Sequence, residues 1–408
     1  MRIAYVSQYF PPEVGAPQAR VHELSREWVR LGHEVTVLTA FAQYPLGKKQ
    51  PEDQYALTRR ERLDGIDVLR TYIWATPNAG TMRRMASYAS FATSAALIGR
   101  LRLRRPDVLI ATSPQLLCGV AGYALARSLR VPFVFEVRDL WPESIIAVDA
   151  MGENAFVKAL RRVAAHLYDH ADLVVPVGEG YRRNIHDLYG LPLDRMAVIP
   201  NGIDVNLFVP GERDNDVRRQ HGWGDKFVVM YVGTHGMAHG LSTILDAAST
   251  LQDTRAHFVL VGEGAEKVAL KQRAAELRLG NVEFVDKQPK ERIPAYYAAC
   301  DLGIVTLRDT PLFQEVLPSK IFEYLGMERP LLLGVGGEAR RLVEAAGAGE
   351  FVPPGDATAM AQAIRRLDGE RAQLTRMGQL GREYVLRNYN RRSLAVRYLE
   401  ALARVARG

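Results

Sequence analysis

The chain has 408 residues, of which 48% are hydrophobic and 24% charged, and its formal net charge is +7. These values are typical of a globular protein with more than one domain, most simply two. Its longest mostly apolar stretches, such as Ala86 to Gly99, are too short and too polar to span a bilayer. The opening MRIAYVSQYF has no long apolar core or cleavage site, which argues against a signal peptide. Cys118 and Cys300 lie in apolar helical contexts, so we expect packed thiols in a cytoplasmic protein, with no disulfide framework and no metal site.

The first half of the sequence alternates strand and helix patterns. Amphipathic segments predict helices over Val21 to Arg30 and Gln115 to Ser128. Short apolar runs predict strands at Arg2 to Gln8, Glu34 to Thr39, Asp107 to Thr112, Pro132 to Val137, Leu173 to Val177 and Met196 to Ile199. Because such runs are typical of strands buried on both faces, this half predicts a doubly wound parallel sheet.

Two loops at the carboxyl edge of this predicted sheet carry candidate ligand-binding residues. The first strand is followed by PPEVGAPQARVHEL, in which Gly15 would let the backbone approach a phosphate closely. The strand PFVFEV is followed by Arg138 and Asp139, which should lie at the same edge. For Asp139 the alternative is a salt bridge to a neighbouring residue.

Residues 82 to 105, here called the basic segment, carry arginines and no acid. The arginines are Arg83, Arg84, Arg100, Arg102, Arg104 and Arg105, and they bracket the apolar run ASYASFATSAALIG. A basic segment with interleaved apolar residues suits an anionic membrane surface. The alternative is a fold helix with arginine-rich ends. Because the segment has no aromatic stacking platform, we expect no nucleic-acid partner.

The turn cluster from Pro200 to Asp204 predicts a domain boundary, with domains at 1–203 and 204–389. A second alternating series follows it. Strands are predicted at Phe227 to Val232, His257 to Val261, Val282 to Val285, Leu302 to Thr306 and Leu331 to Gly334, and helices from Ser242, Ala265, Ile293 and Ser319. The last predicted helix lies around Arg391 to Arg407. The whole chain is therefore predicted to be α/β.

The segment FQEVLPSKIFEYLGMERP, from Phe313 to Pro330, is the most informative about function. Pro318 and Ser319 predict a helix start, with Ser319 capping the free amides. A helix N-terminus beside Lys320 suits a diphosphate. Glu323, one turn further, could accept a bidentate bond from vicinal hydroxyls, and Glu315 supplies a second acid. Together these groups describe a nucleotide-sugar site, although two acids eight positions apart also occur on ordinary solvated helices.

An acid, seven residues and a second acid resembles the E-x7-E signature of family-4 retaining glycosyltransferases, although Val316-Leu317 replace the commoner Gly-Phe. The resemblance implies the GT-B fold, with two Rossmann-like domains, parallel sheets, an interdomain cleft and a last helix, 390–408, that packs back on the first domain. It also implies that Glu323 holds the nucleotide ribose and that Glu315 lies against the donor sugar. The Gly15 loop resembles the family's PPxxGG, with Ala16 in place of the second glycine.

The segment MYVGTHGMAHG, from Met230 to Gly240, matches the place where many family members carry two cations for the donor diphosphate. Thr234 and His239 stand in those positions, so the resemblance shifts diphosphate binding to Ser319, Lys320 and the amides of residues 234–236. His235 is placed either in the cleft or in a structural role. Gly262 would line the donor cleft, and the backbone around residues 286–288 would recognise uracil.

The LWPES context, the GTHGMAHG loop and the PSK-x-FEY segment together resemble a bacterial branch that builds O-antigen and capsule repeat units, including N-acetylfucosamine transferases. This implies a retaining, metal-independent hexosyltransferase without a cofactor, which uses a UDP-linked sugar such as N-acetylfucosamine or a hexosamine. The implied acceptor is a polyprenyl-diphosphate-linked saccharide at the inner membrane face, with the enzyme bound peripherally. The implied catalytic residues are Asp139, Lys320 and Glu315, and Arg138 and Asp139 would bind the acceptor. Two alternatives remain: a UDP-sugar epimerase of the same fold, and a non-catalytic sugar-nucleotide-binding subunit.

Overall fold

The computed structural model describes residues 1–13, 15–43, 47–76, 81–147 and 154–407. The chain divides into two compact units. Unit 1 comprises Met1–Asn201 and the segment from Arg391 onward, and unit 2 comprises Gly202–Asn390. Each unit is built around one sheet with helices beside it, so the predicted α/β class with two parallel-sheet domains is confirmed.

Unit 1 contains a seven-stranded sheet in the order β3-β4-β2-β1-β5-β6-β7. Its strands are β1 (Arg2–Val6), β2 (Glu34–Ala40), β3 (Thr58–Leu63), β4 (Ile66–Thr71), β5 (Val108–Thr112), β6 (Phe133–Val137) and β7 (Leu173–Pro176). Its helices before the chain leaves the unit are α1 (Ala16–Arg30), α2 (Thr81–Arg102), α3 (Leu116–Leu129), α4 (Glu143–Ala147), α5 (Ala155–His170) and α6 (Glu179–Tyr189). All strand pairs are parallel except β3 with β4.

Two features of this sheet differ from the sequence prediction. The hairpin of β3 and β4 was not predicted, although Asp64-Gly65 between its strands is a standard hairpin turn and both residues have positive φ. The predicted strand Met196 to Ile199 is wrong, because only Met196 forms an isolated bridge, to Val174. Ile199 donates to the carbonyl of Pro176, but proline has no N–H with which to return the bond, so a ladder cannot extend.

Unit 2 contains a six-stranded, fully parallel sheet in the order β10-β9-β8-β11-β12-β13. Its strands are β8 (Phe227–Val232), β9 (Ala256–Val261), β10 (Val282–Val285), β11 (Leu302–Thr306), β12 (Leu331–Gly334) and β13 (Gly349–Phe351). Its helices are α7 (Asp216–Gln220), α8 (Ser242–Ser249), α9 (Lys267–Glu276), α10 (Ile293–Ala299), α11 (Ser319–Gly326), α12 (Gly337–Ala346), α13 (Ala357–Leu367) and α14 (Arg371–Asn388). The central strands β8, β9 and β11 are buried along their whole length, which explains their continuous apolar sequences.

The last helix, α15 (Arg391–Ala406), belongs to unit 1 and packs on α1. The indole N–H of Trp28 donates to the carbonyl of Ala395 at 3.0 Å, and its ring meets the Tyr398 ring edge-on. Buried ion pairing adds to this contact, since Arg391 pairs with Glu23 of α1. The core of unit 1 therefore includes α15 side chains such as Leu402 together with the strands of its sheet.

In both sheets the strand order reverses at one point. In unit 1 the reversal lies between β1 and β5, and in unit 2 it lies between β8 and β11. Loops that leave two such neighbouring strands in opposite directions open a crevice at the carboxyl edge, where open α/β sheets bind their ligands.

Candidate functional site

The loops after β8 and β11 are joined at the switch point of unit 2. Residues 233–240 follow β8, and residues 307–318 connect β11 to α11. The amide of Arg308 donates to the carbonyl of Ala238 at 2.9 Å, and the hydroxyl of Thr306 donates to the carbonyl of His239 at 2.7 Å. The two segments that carry most of the predicted donor-binding residues are thus held together within this unit.

Helix α11 begins at Ser319, as predicted, but the predicted capping role of Ser319 is wrong. Pro318 is the N-cap residue, and no side chain caps the helix. The extended Pro318 places its own carbonyl to accept from the amide of Ile321, so Ser319 becomes the first helical residue. The amides of Ser319 and Lys320 precede the first helical hydrogen bond and have no intrahelical partner, and the helix dipole adds positive potential there. This end of α11 therefore suits an anionic group.

Lys320 lies on the first turn of α11, against β8. Its Nζ donates to the hydroxyl of Tyr231 at 2.8 Å and lies 4.0 Å from the centroid of the same ring. A Cβ atom on Gly233 would lie only 2.7 Å from this Nζ, so the glycine makes room for the ammonium. Burial lowers the pKa of Lys320 to about 7, while Glu323 favours the charged form.

Glu323 lies one turn after Lys320 on α11. Its Oε2 accepts a hydrogen bond of 2.7 Å from the hydroxyl of Tyr297 on α10. Its Oε1 has no hydrogen-bond partner among the residues that the structure describes. Burial raises the pKa of Glu323, and the bond from Tyr297 opposes that shift. The carboxylate is therefore oriented by one oxygen while the other can accept a bond from a ligand.

His235 and His239 lie in surroundings that lower their pKa values. His235 is 0% exposed, and in the described part of the chain neither of its ring nitrogens has a hydrogen-bond partner. Burial, followed by the charge of Lys267, lowers the pKa of His235 to about 4. Burial and the charge of Lys320 lower the pKa of His239 to about 3. Neither histidine can supply a fixed positive charge at neutral pH.

The Gly262 loop packs on the backbone of the loop after β8. A Cβ atom on Gly262 would overlap the carbonyl oxygen of Gly233, and one on Gly264 would overlap the carbonyl of His235. The amide of His235 also donates to the carbonyl of Glu263 at 2.9 Å. Packing of the two loops therefore requires glycine at position 262, whether or not this residue contacts a donor.

The other predicted donor-binding residues of unit 2 are more exposed to solvent. Thr234 is exposed, and its carbonyl accepts from the Tyr231 hydroxyl at 2.8 Å. Glu315 ends a short 3-10 turn, Leu312–Glu315, and is partly buried. Next to β10, Asp286 and Gln288 are among the residues that line a cavity of about 420 Å³, together with others such as His221 and Tyr296. Recognition of uracil by the backbone around residues 286–288 stays a prediction.

Lys267 is a buried residue at this edge that sequence reasoning missed. Its Nζ donates to the carbonyl of Gly262 at 2.9 Å and to carboxylate oxygens of Glu263 and Asp286, each at 2.6 Å. Lys267 therefore joins the loops after β9 and β10. No local sequence pattern identifies it, because its partner Asp286 lies 19 positions further along the chain.

At the edge of unit 1, Gly15 is the N-cap of α1, and no side chain caps this helix. The helix begins at Ala16, five residues before the predicted start at Val21. Gly15 is extended and exposed, and the nearby Gln18 has a buried Oε1 without a hydrogen-bond partner in the described chain. The predicted glycine loop is thus mostly a helix N-terminus.

Arg138 and Asp139 follow β6, and Ser113 organises their backbone. The amides of Arg138 and Asp139 donate to Oγ of Ser113 at 2.8 and 3.3 Å. Oδ2 of Asp139 accepts from the hydroxyl of Ser144 at 3.2 Å, and burial raises the pKa of Asp139 to about 6. Within the described chain Asp139 forms no salt bridge, so the structural alternative considered for it is not observed.

A buried ionic network lies behind this edge and was not predicted. Glu136 is fully buried in β6, where Arg20 donates to its Oε2 at 2.9 Å and Tyr5 donates to its Oε1 at 2.6 Å. Arg20 also donates to the carbonyls of Ile199 and Pro200. The acid within the apolar strand PFVFEV was the available sequence signal, because an unpaired charge is costly in a buried strand.

The described residues contain no group of three or more His, Cys, Asp or Glu side chains that could hold a metal ion. Cys118 and Cys300 are free and buried, as expected for packed thiols. In the same described ranges, no helix combines the length and the apolar character needed to cross a bilayer.

Two family patterns match consecutive parts of the chain. The pattern described as glycosyl transferase 4-like domain covers residues 15–202, and the one described as glycosyl transferases group 1 covers residues 213–384. A glycosyltransferase of Pseudomonas aeruginosa, WbjE, is 26% identical over 294 residues, covering 71% of this chain and 72% of WbjE. The Escherichia coli protein WcaI, described as a colanic acid biosynthesis glycosyl transferase, is 27% identical over 331 residues, or 78% of each chain.

Solved structures of the same architecture cover almost the whole chain. Anabaena HepE in complex with UDP and glucose superimposes with a TM-score of 0.75 at 20% identity, over 99% of both chains. Sucrose-phosphate synthase from Thermosynechococcus elongatus superimposes with a TM-score of 0.78 at 19% identity, over 99% of this chain and 98% of the other. At this level of identity the likeness shows the fold, which is GT-B.

Proposed function

The chain belongs to the two-domain, family-4 glycosyltransferases of GT-B fold, and we propose that it builds a cell-surface polysaccharide by moving a sugar from a nucleotide diphosphate to a saccharide acceptor. The observation that carries this proposal is the first turn of α11. The amides of Ser319 and Lys320 and the ammonium of Lys320 lie in that turn, and the carboxylate of Glu323 lies in the next turn of the same helix, at the switch point of the sheet.

Each of these groups has a chemical counterpart in a nucleotide sugar. Amides at a helix N-terminus and a lysine bind a diphosphate, because both supply donors and positive potential. The free oxygen of Glu323 can accept a bond from a ribose hydroxyl, while Tyr297 holds the other oxygen. In the proposal Ser319, Lys320 and the amides of Thr234 and Gly236 bind the diphosphate. The amide of His235, also predicted to do so, is already bonded to the carbonyl of Glu263, and the two histidine rings contribute no charge.

The proposed reaction retains the anomeric configuration and needs no metal ion. The bond from the anomeric carbon to the diphosphate oxygen breaks, and the acceptor oxygen bonds to the same face of that carbon. The acceptor proton passes to the departing diphosphate oxygen. Negative charge therefore grows on the diphosphate, and a preorganised cation such as Lys320 stabilises the transition state more than the ground state. Arg138 and Asp139 are proposed to orient the acceptor, and Glu315 to lie against the donor sugar.

We infer a UDP-linked donor, such as UDP-N-acetylfucosamine or a UDP-hexosamine. HepE, which shares the fold, is known in complex with UDP and with UDP-glucose. Another relative, from Mycolicibacterium smegmatis, is described as a GDP-mannose-dependent alpha-mannosyltransferase and is 26% identical over 306 residues. The nucleotide therefore varies among relatives, and direct comparison of UDP and GDP binding is the first test of this part.

The proposed acceptor is a polyprenyl-diphosphate-linked saccharide, with the enzyme bound peripherally at the inner membrane face. Helix α2 supports this part, because it exposes Leu97 (64%) and Leu101 (81%) beside its arginine-rich C-terminal end. Within the described chain none of the six arginines of the basic segment pairs with an acid. An exposed apolar stripe beside unpaired cations suits an anionic bilayer surface.

The experiment that tests the function is a transfer assay with defined substrates. Purified protein is incubated with UDP-sugars, with and without a polyprenyl-diphosphate-linked saccharide. We expect UDP release that depends on the acceptor, a mass gain of one sugar, retained configuration by NMR, and the same rate in EDTA. UDP release without an acceptor would indicate the epimerase alternative. Binding of UDP-sugars without any turnover would indicate a non-catalytic subunit.

A further inference from the structure

Tyr231 makes two contacts with the ammonium of Lys320 and one with the backbone of Thr234. It is the fifth residue of β8 and is almost fully buried. Its hydroxyl accepts from Nζ of Lys320 at 2.8 Å and donates to the carbonyl of Thr234, also at 2.8 Å. The same ring lies 4.0 Å from Nζ. One side chain thus connects the lysine of α11 to the loop after β8.

Gly233 also borders the space that the ammonium occupies. A Cβ there would lie 2.7 Å from Nζ and 3.3 Å from the Tyr231 hydroxyl, so residue 233 has to lack a side chain for Lys320 to reach its place. A lysine has four rotatable bonds, and ordering it costs entropy. Tyr231 and Gly233 restrict where the ammonium can lie, and such restriction by the protein is the preorganisation that electrostatic catalysis requires.

The charged groups near Lys320 do not hold it by themselves. The titratable groups that face it are His235 and His239 after β8, Tyr231 of β8, and Glu323 of its own helix. Both histidines have lowered pKa values and carry no charge at neutral pH, so the electrostatic attraction on the ammonium comes from Glu323. Burial favours the neutral amine and brings its pKa to about 7, whereas a hydroxyl lone pair and a π face both favour the ammonium.

We propose that Tyr231 is a positioning residue, which holds the Lys320 ammonium towards the donor diphosphate and ties it to the backbone of Thr234. The inference rests on the proposed function, because it assumes that Lys320 acts on the donor. Tyr231 touches neither reacting atom and works only through Lys320 and the loop. Removing its hydroxyl leaves the ring in place but releases both hydrogen bonds.

The test is Tyr231→Phe, measured by steady-state kinetics across pH. We expect kcat to fall about tenfold, the size of effect expected for a lost hydrogen bond to a charged group, with KM for the donor changed less than twofold. The alkaline limb of kcat/KM, which reports loss of the Lys320 proton in the free enzyme, should move to lower pH. Calorimetry with UDP in two buffers at pH 7.5 should show greater proton uptake by the variant than by the wild type.

The matched control is Tyr324→Phe. Tyr324 is fully buried on α11, and its hydroxyl donates to the carbonyl of Met230 at 2.6 Å, so the variant also loses one buried tyrosine hydrogen bond. It should lower the thermal midpoint while leaving kcat within twofold of the wild-type value. The alkaline limb of kcat/KM should stay at the wild-type pH. If Tyr231→Phe behaves like this control while Lys320→Ala is strongly impaired, the positioning proposal is overturned. If Lys320→Ala is itself fully active, the assignment of Lys320 in the proposed function fails instead.

Discussion

The hydroxyl of Tyr297 donates to Oε2 of Glu323 at 2.7 Å, and this bond joins α10 to α11 at the edge of the unit 2 sheet. The bond restrains the carboxylate through one oxygen and leaves Oε1 without a hydrogen-bond partner in the described chain. A carboxylate held in this way is ready to accept from a ligand hydroxyl, whereas a freely rotating one would first have to be ordered.

Glu323→Gln should weaken UDP binding by about 1.5–3 kcal/mol, because a charge-assisted hydrogen bond to the ribose becomes a neutral one. Isothermal titration calorimetry with UDP measures this directly. Glu344→Gln is the control, since Glu344 is an exposed glutamate on α12 that pairs with Arg340. Unchanged affinity in Glu323→Gln would remove Glu323 from the nucleotide site.

Lys320→Ala should lower kcat more than it weakens donor binding, because the negative charge on the diphosphate grows as the glycosidic bond breaks. Steady-state kinetics with the donor varied at saturating acceptor separates the two effects. Lys226→Ala, which removes an exposed lysine just before β8, should match the wild type. A raised KM with an unchanged kcat in Lys320→Ala would mean that this lysine binds only the ground state.

Much of unit 2 could be predicted from the sequence, because its strands are short apolar runs bounded by turn residues. The strands β8, β10, β11 and β12 have the predicted bounds, and α11 begins at the predicted residue. The hairpin of unit 1 was missed because β3, TRRERL, is a charged edge strand without an apolar run. The sequence pattern therefore detects strands that are buried on both faces more reliably than exposed edge strands.

The sequence identified residues of the candidate site, but it could not predict which of them contact one another. Lys320 and Tyr231 are 89 positions apart, and their contact depends on the pairing of Gly303 in β11 with Met230 in β8. No local pattern contains that register. The same limit applies to the histidines, since their neutral state follows from burial beside Lys267 and Lys320. The capping prediction failed for a local reason, because Pro318 already provides the N-cap.

Ser144→Ala should move the acid limb of the pH profile for the acceptor to higher pH. Burial raises the pKa of Asp139 to about 6, and the hydrogen bond from Ser144 opposes that rise. If the ionised carboxylate orients the acceptor, kcat/KM for the acceptor falls as pH drops through about 6, and removing the opposing bond shifts this fall upward. Ser249→Ala, which removes a hydroxyl bonded to the carbonyl of Asp246, is the control. If the acid limb lies at the same pH in both variants, ionisation of Asp139 does not control acceptor binding or transfer.

Gly262→Ala should destabilise the protein, by about 1–3 kcal/mol for the backbone strain alone. Gly262 has φ near +148°, and a Cβ atom would overlap the carbonyl oxygen of Gly233. Gly280→Ala is the matched control, because a Cβ at Gly280 meets nothing within 4 Å and its φ is not in the left-handed region. Urea unfolding of both variants gives the two free energies. Equal stability would mean that the two loops can move apart without cost.

The basic segment provides the structural basis for a membrane prediction. All six of its arginines are exposed, and α2 presents Leu97 and Leu101 on the same exposed side as Arg100. Each cation near an anionic surface contributes about 1 kcal/mol, and the effect fades over about a Debye length. Reversible binding that weakens as salt is added is the expected consequence.

Changing Arg100, Arg102, Arg104 and Arg105 together to serine should abolish co-sedimentation with anionic liposomes at low salt. The wild type should sediment at low salt and dissociate as salt rises, because screening removes the attraction between arginines and lipid headgroups. The control changes Arg340, Arg365, Arg376 and Arg387 to serine, which lowers the net charge equally but removes exposed arginines from unit 2. If the two quadruple variants bind equally, net charge and not the basic segment governs sedimentation. If the wild type ignores anionic liposomes at low salt, a soluble acceptor becomes the better proposal.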